Sequence, residues 1–164
     1  MAESRYCALL LGNGTFPDGS GLKCLNGPPN DVKELKGALT DQDTGLFEAD
    51  DVTAWSDLDS SDMRVAISDF FDAAHCEDQL LLYYTGHGLL SAKWELHLAA
   101  KDTWDTHRRV ATGVSAQFIH EVIDGSSARA PKSWCSTAAT PVRSSPLRKV
   151  ARLALPALEG GEDG

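Results

Sequence analysis

His87 stands between Gly86 and Gly88, directly after the run Leu80-Leu81-Leu82-Tyr83-Tyr84-Thr85. Imidazole is the side chain whose ordinary pKa lies nearest neutrality, which suits it to general base chemistry. The run before it is apolar without alternation, the mark of a strand buried on both faces, here residues 79–85. In open parallel α/β sheets, reactive groups gather beyond the carboxyl ends of the strands. A histidine at that place, on a turn that glycines leave open, is a candidate general base. The bland alternative is a histidine that only caps the strand. Cys7, Cys24, Cys76 and Cys135 are scattered and lack metal-ligand spacing. Cys7 lies in the first apolar run and reads as core. Cys76 follows a helix, and Cys24 is a loop residue. Cys135, 48 residues after His87, lacks the small, glycine-ended turn that would expose a thiolate. Asp57, His97 and Trp104 read as loop or packing residues, and His75, His107 and His120 show no ligand spacing.

The elements that must position His87 follow the order β-α-β-α-β-β-α. Residues 5–12 are a strand, and Asn13 to Gly21 form a glycine-rich turn. Asp31 with Glu34 forms a capping box for a helix whose apolar face is Val32, Leu35 and Leu39. Asp51 to Trp55 is a short strand. Ser61 caps a helix with Met63, Ile67, Phe70 and Phe71 on one face. Trp94 to Ala100 reads as a further strand, and Ser115 opens a helix carrying Phe118, Ile119, Val122 and Ile123. Strands alternating with amphipathic helices predict a mostly parallel sheet covered on both faces. There are no internal repeats.

Tyr84 to Gly88 resembles the caspase-like cysteine peptidases, the group that includes metacaspases and bacterial caspase-like proteins. Their catalytic histidine lies in a strand-end motif of Tyr, Ser or Thr, Gly, His, Gly. Arg5 to Asn13 resembles the family's first strand. Leu25-Asn26-Gly27-Pro28-Pro29-Asn30-Asp31 is similar to its Leu-x-Gly-x-x-Asn-Asp segment. The three matches come in the family's order and cover roughly residues 5–129. The resemblance implies a caspase-like layered α/β fold and a cysteine endopeptidase working without a cofactor on a peptide or protein substrate. It implies that His87 handles the protons and that backbone amides, Gly88 included, hold the oxyanion. It also implies an acidic pocket for a substrate Arg or Lys, with Asp31 as one carboxylate. Asp31 thus has two readings, helix cap and pocket, and they can coexist.

The pattern breaks after the helix at 115–124. The family places there an apolar strand ending in Asp-x-Cys, His or Tyr, Ser, Gly, whose cysteine is the nucleophile. This chain has Pro131-Lys132-Ser133-Trp134-Cys135-Ser136-Thr137-Ala138-Ala139-Thr140-Pro141-Val142. Charge shifts too: residues 1–129 hold 10 Lys+Arg and 21 Asp+Glu, a net of −11, and residues 130–164 hold 5 and 3, a net of +2. The genetic code accounts for the break. Joining the last base of each codon to the first two of the next forces Val at position 135, because tryptophan has one codon. With TCN serine codons it makes positions 133, 134 and 136 apolar. Positions 137 to 142 then permit Asp-Cys-Cys-Tyr-Ser-Gly. A one-base slip near codon 131 therefore hides the expected strand and motif, with the nucleophile at the place of Ala139, 52 residues after His87. That agrees with the spacing of about 50 between a caspase histidine and its cysteine. The expectation is an incomplete α/β domain over 1–129, with C-terminal strands missing or altered, and an aberrant, disordered tail over 130–164. Four prolines in that tail argue against a central strand, and Ser144 to Leu155 could form a short amphipathic helix.

The chain has 164 residues, enough for one sizeable core. A net charge of −9 argues against nucleic acid or an anionic membrane as partner. No apolar run of about 18 residues and no signal peptide is present. Scattered cysteines suit a reducing cytoplasm. Two function classes follow: a caspase-like cysteine endopeptidase, impaired as written, and a catalytically inactive pseudo-protease that binds or regulates. A nucleotide-binding doubly wound domain is weaker, since no Gly-x-Gly-x-x-Gly or P-loop occurs.

Overall fold

The computed structural model describes residues 5–106 and 108–126, and the backbone of 132–138. The main sheet is parallel, in the order β2-β1-β3-β7. Its strands are β1 (Tyr6–Gly12), β2 (Val52–Ser56), β3 (Gln79–Gly86) and β7 (Lys132–Ala138). Three short strands, β4 (Gly88–Leu90), β5 (Leu96–Ala99) and β6 (Gly113–Ser115), make a second, antiparallel sheet. The helices are α1 (Gly27–Leu39), α2 (Ser60–Asp72), α3 (Arg109–Thr112) and α4 (Ala116–Gly125).

Both faces of the central strands β1 and β3 are covered, as the apolar run of β3 requires. On one face Leu9, Leu11, Leu80, Leu82 and Tyr84 pack against Met63, Ile67 and Phe71 of α2 and Ile119 of α4. On the other, Ala8, Leu10 and Val52 pack against Val32, Leu35 and Leu39 of α1. The alternation within β1 divides these two cores. Gly12 ends β1 where α1 crosses: a Cβ there would lie 2.7 Å from both the Pro28 carbonyl and Val32 Cγ2. Among the described residues, no helix is long and apolar enough to cross a membrane.

Several expectations are corrected. α1 begins at Gly27, not at Asp31, with Pro28 and Pro29 in its first turn, where their missing N–H groups cost nothing. Asp31 is therefore inside the helix and caps nothing. α2 is capped by Asp59, whose carboxylate accepts from the amides of Ser61 and Asp62, each at 2.9 Å; Ser61 is not the cap. Ser115 does cap α4, accepting from the Phe118 amide at 3.1 Å.

The largest correction concerns residues 132–138, which were expected not to pair. They run parallel to β3, with Leu80 opposite Lys132 and Gly86 opposite Ala138. Pro131 and Pro141 flank this stretch rather than interrupt it. Ladder hydrogen bonds come from the backbone, so a polar segment can still supply them. The strand is altered in composition rather than missing. The expected disorder beyond residue 138, the Ser144–Leu155 helix and His107 lie outside the described residues.

Candidate active site

His87 occupies the junction between the two sheets. β3 delivers it at its carboxyl end, and β4 begins one residue later at Gly88. His87 is 3% exposed. Its Nε2 lies 2.8 Å from the main-chain carbonyl of Lys23, and the Phe16 ring centroid lies 5.1 Å away. A carbonyl oxygen only accepts, so Nε2 carries the proton and donates it there. Nδ1 is then the basic nitrogen of the neutral ring. The loop bringing Lys23 is held by a small core of Phe16, Leu22, Leu89 and Ala99.

The turn behind His87 is built by Tyr84 and Asn13. The buried Tyr84 hydroxyl donates to the Ala99 carbonyl at 2.8 Å and also lies 3.1 Å from the His87 carbonyl. Burial pushes that phenol's pKa strongly upward, so it stays a donor. Asn13 continues the ladder past Gly12: its amide donates to the Thr85 carbonyl at 3.0 Å. Its side chain donates to the Ala99 carbonyl at 3.1 Å and accepts from the Leu58 amide at 3.1 Å. A Cβ at Gly86 would fall on the Tyr84 hydroxyl and 2.9 Å from the Asn13 carbonyl. Glycine at that position is thus imposed by packing as well as by the open turn.

Asp31 belongs to the same corner. Its carboxylate accepts from the Thr85 hydroxyl at 2.9 Å, and Thr85 is buried two residues before His87. Asp31 is half-buried, so the carboxylate is anchored but still reached by solvent. Gly88 is buried and pairs with Leu98 at the start of β4.

Asp57 has a role that sequence reasoning missed. It adopts a left-handed conformation, φ 55°, and its carboxylate accepts from the amides of Gly14, 2.9 Å, and Thr15, 2.8 Å. Burial pushes its pKa up, but those amides, the Thr15 hydroxyl and Lys101 outweigh burial and hold the carboxyl below its usual range. It thereby ties down the turn that follows β1. His97 is buried, and neither ring nitrogen has a hydrogen-bond partner among the described residues. The Arg108 guanidinium lies over the Trp104 ring, 5.8 Å from its centroid. Cys7 is half-buried beside the core, while Cys24 and Cys76 are exposed. No cluster of potential metal ligands occurs among the described residues.

The caspase-domain family model matches residues 5–128. This chain belongs to the caspase domain family. A solved structure of pro-sf-caspase-1 superposes with a TM-score of 0.64 at 20% identity, covering 96% of this chain and 54% of that one. The likeness in fold therefore spans about half the length of that solved chain. No curated protein matches the sequence. The mixed α/β architecture, a parallel sheet with helices on both faces, is that of the caspase domain.

Proposed function

We propose that this caspase domain is built as a cysteine endopeptidase with a Cys-His dyad, cleaving after Arg or Lys, and that the chain as written is impaired. The observation that supports this best is a register. Ala138, the last residue of β7, pairs with Gly86, the last residue of β3, so position 139 and His87 each follow a paired strand end by one residue in the chain. Position 139 is where the shifted frame permits the nucleophilic cysteine of the family motif. Neighbouring strands lie about 4.8 Å apart, a separation that a thiol and an imidazole can span. Cys135 pairs instead with Tyr83, four residues short of His87, or about 13 Å along the strand.

The chemistry follows from the geometry. With Nε2 engaged by Lys23, Nδ1 takes the thiol proton. The thiolate forms a bond to the scissile carbonyl carbon, and the amine leaves with the proton returned by the imidazolium. Water then cleaves the thioester and regenerates thiol and imidazole. Backbone amides including Gly88 hold the oxyanion. Asp31 pairs with the cationic side chain of the substrate, which a partly desolvated carboxylate favours. No cofactor takes part, and a reducing compartment would keep the thiol free.

The test compares the chain as written with the frame-repaired chain on fluorogenic peptides ending in Arg, Lys or Asp. Turnover of the Arg and Lys peptides by the repaired chain alone is expected. Clear turnover by the chain as written, lost on Cys135→Ala, would overturn the reading. The absence of a Cys-x-Ser-Gly turn after His87 also favours a second reading for the chain as written, a pseudo-protease binding module. Its mark would be capture of Arg-ended peptide without turnover.

A further inference from the structure

The outer edge of the main sheet carries a groove that His87 does not line. β2 is the edge strand, and α2 packs over β1 and β3 rather than over β2. Thr53 and Trp55 therefore line a trough of about 610 Å³ between the edge strand and α2. Its apolar floor includes Leu9 and Phe70. Trp55 and Val65 stand on it with 51% and 55% of their surface exposed. Large apolar side chains left open around one concavity mark a surface that gains by being covered.

The charge lining that trough is one-sided. Asp50, Asp62 and Asp69 line it, and none has an ion-pair partner among the described residues. Arg5 also lines it, but pairs with Asp78 at 2.7 Å and Asp51 at 3.5 Å. Asp62 and Asp69 are two turns apart on the helix face that carries Val65 and Phe70. A purely apolar occupant would strip water from these carboxylates without replacing it, and an anionic one would be repelled. A chain of net charge −9 also speeds the approach of a cation.

We propose that this groove docks a segment of a partner protein that lays a bulky apolar side chain against Trp55 and Val65 and carries Lys or Arg on either side of it. The groove runs from Leu80, seven residues before His87, to Trp55, which is level with Tyr84 two strands away, and its lining includes neither His87 nor Asp31. The site is therefore independent of the peptidase reading.

The test is fluorescence anisotropy of the full chain with a labelled Lys-Arg-Leu-Phe-Arg-Lys peptide. Two controls replace Leu-Phe by Gly-Gly or the basic residues by Glu. Binding of the first peptide alone is expected. Trp55→Ala should weaken it about tenfold. Asp62→Asn with Asp69→Asn should weaken it about fivefold and flatten its salt dependence. Both aspartates are exposed, so this variant should keep the native circular dichroism. Binding that survives Trp55→Ala, or that vanishes in Asp31→Ala, would overturn the assignment. A dimer in sedimentation that Trp55→Ala abolishes would give the groove to a second copy and also overturn it. So would tighter peptide binding after Arg148→Glu with Lys149→Glu, which would give it to the chain's own basic stretch.

Discussion

The Nε2 of His87 lies 2.8 Å from the carbonyl oxygen of Lys23, a residue 64 positions away in the chain. The bond fixes the tautomer of a buried ring through a loop that a small core and several hydrogen bonds hold in place. Orientation of the histidine thus depends on packing at Phe16 and Leu22 as much as on the β3 motif.

Phe16→Ala should test that dependence in the chain as written. Phe16 is 6% exposed and packs beside the imidazole. Its removal should cost about 3 kcal/mol in urea unfolding. It should also raise the rate at which diethylpyrocarbonate modifies His87, read by peptide mass mapping. An unchanged rate at His87 would mean that the loop does not guard the ring.

Tyr84→Phe should remove one hydroxyl and no packing. The Ala99 carbonyl keeps the Asn13 side-chain Nδ2 as donor, and the His87 carbonyl keeps the Ala99 backbone amide at 2.9 Å. The expected loss is about 1 kcal/mol, measured by urea denaturation. A loss of about 4 kcal/mol would show the hydroxyl to be the sole tie of the turn.

What the sequence made legible, and what it did not, follows from where each signal resides. β3 and β1 announce themselves as unbroken apolar runs, because both faces of these central strands are covered. β4 and β6 have three residues each, too few for a period to show. The partner of His87 is a main-chain carbonyl, so the identity of Lys23 carries no trace of it. Asp31 looked like a cap because Asp31 and Glu34 mimic a capping box. Pro28 and Pro29, which start the helix four residues earlier, were the stronger signal. The polar composition of residues 132–138 hid a strand, since parallel pairing to β3 draws on backbone groups that every residue except proline has in full.

His97 makes stability sensitive to acid. Burial depresses its pKa, and the cations Arg64 and Arg109 reinforce this against the opposing effect of Glu95. The unfolded chain takes up the proton below about pH 6.5, while the folded chain resists until lower pH. Stability should therefore fall as pH drops below about 6.5 and level off below the folded pKa. His97→Phe should flatten that part of the curve in thermal unfolding from pH 7.5 to 5. The same slope in the variant would assign it to another group.

Asp31 offers the sharpest test of substrate choice, because its carboxylate and His87 are held by the same strand end. Thr85 donates to Asp31 at 2.9 Å and precedes His87 by two residues. In the frame-repaired protein, His87→Ala removes the only proton carrier assigned to the reaction. It should lower kcat by about 10³-fold or more with the fold intact. Asp31→Asn keeps the shape and the Thr85 hydrogen bond but loses the charge. It should raise KM for Arg- and Lys-ended peptides about tenfold or more, while kcat changes little, because ground state and transition state share the lost ion pair. Asp31→Ala should do the same and also loosen Thr85, with a stability loss of about 1 kcal/mol. Full activity of the His87 variant would remove the histidine from the mechanism. Equal loss on Arg-ended and Asp-ended peptides in Asp31→Asn would move the specificity pocket elsewhere.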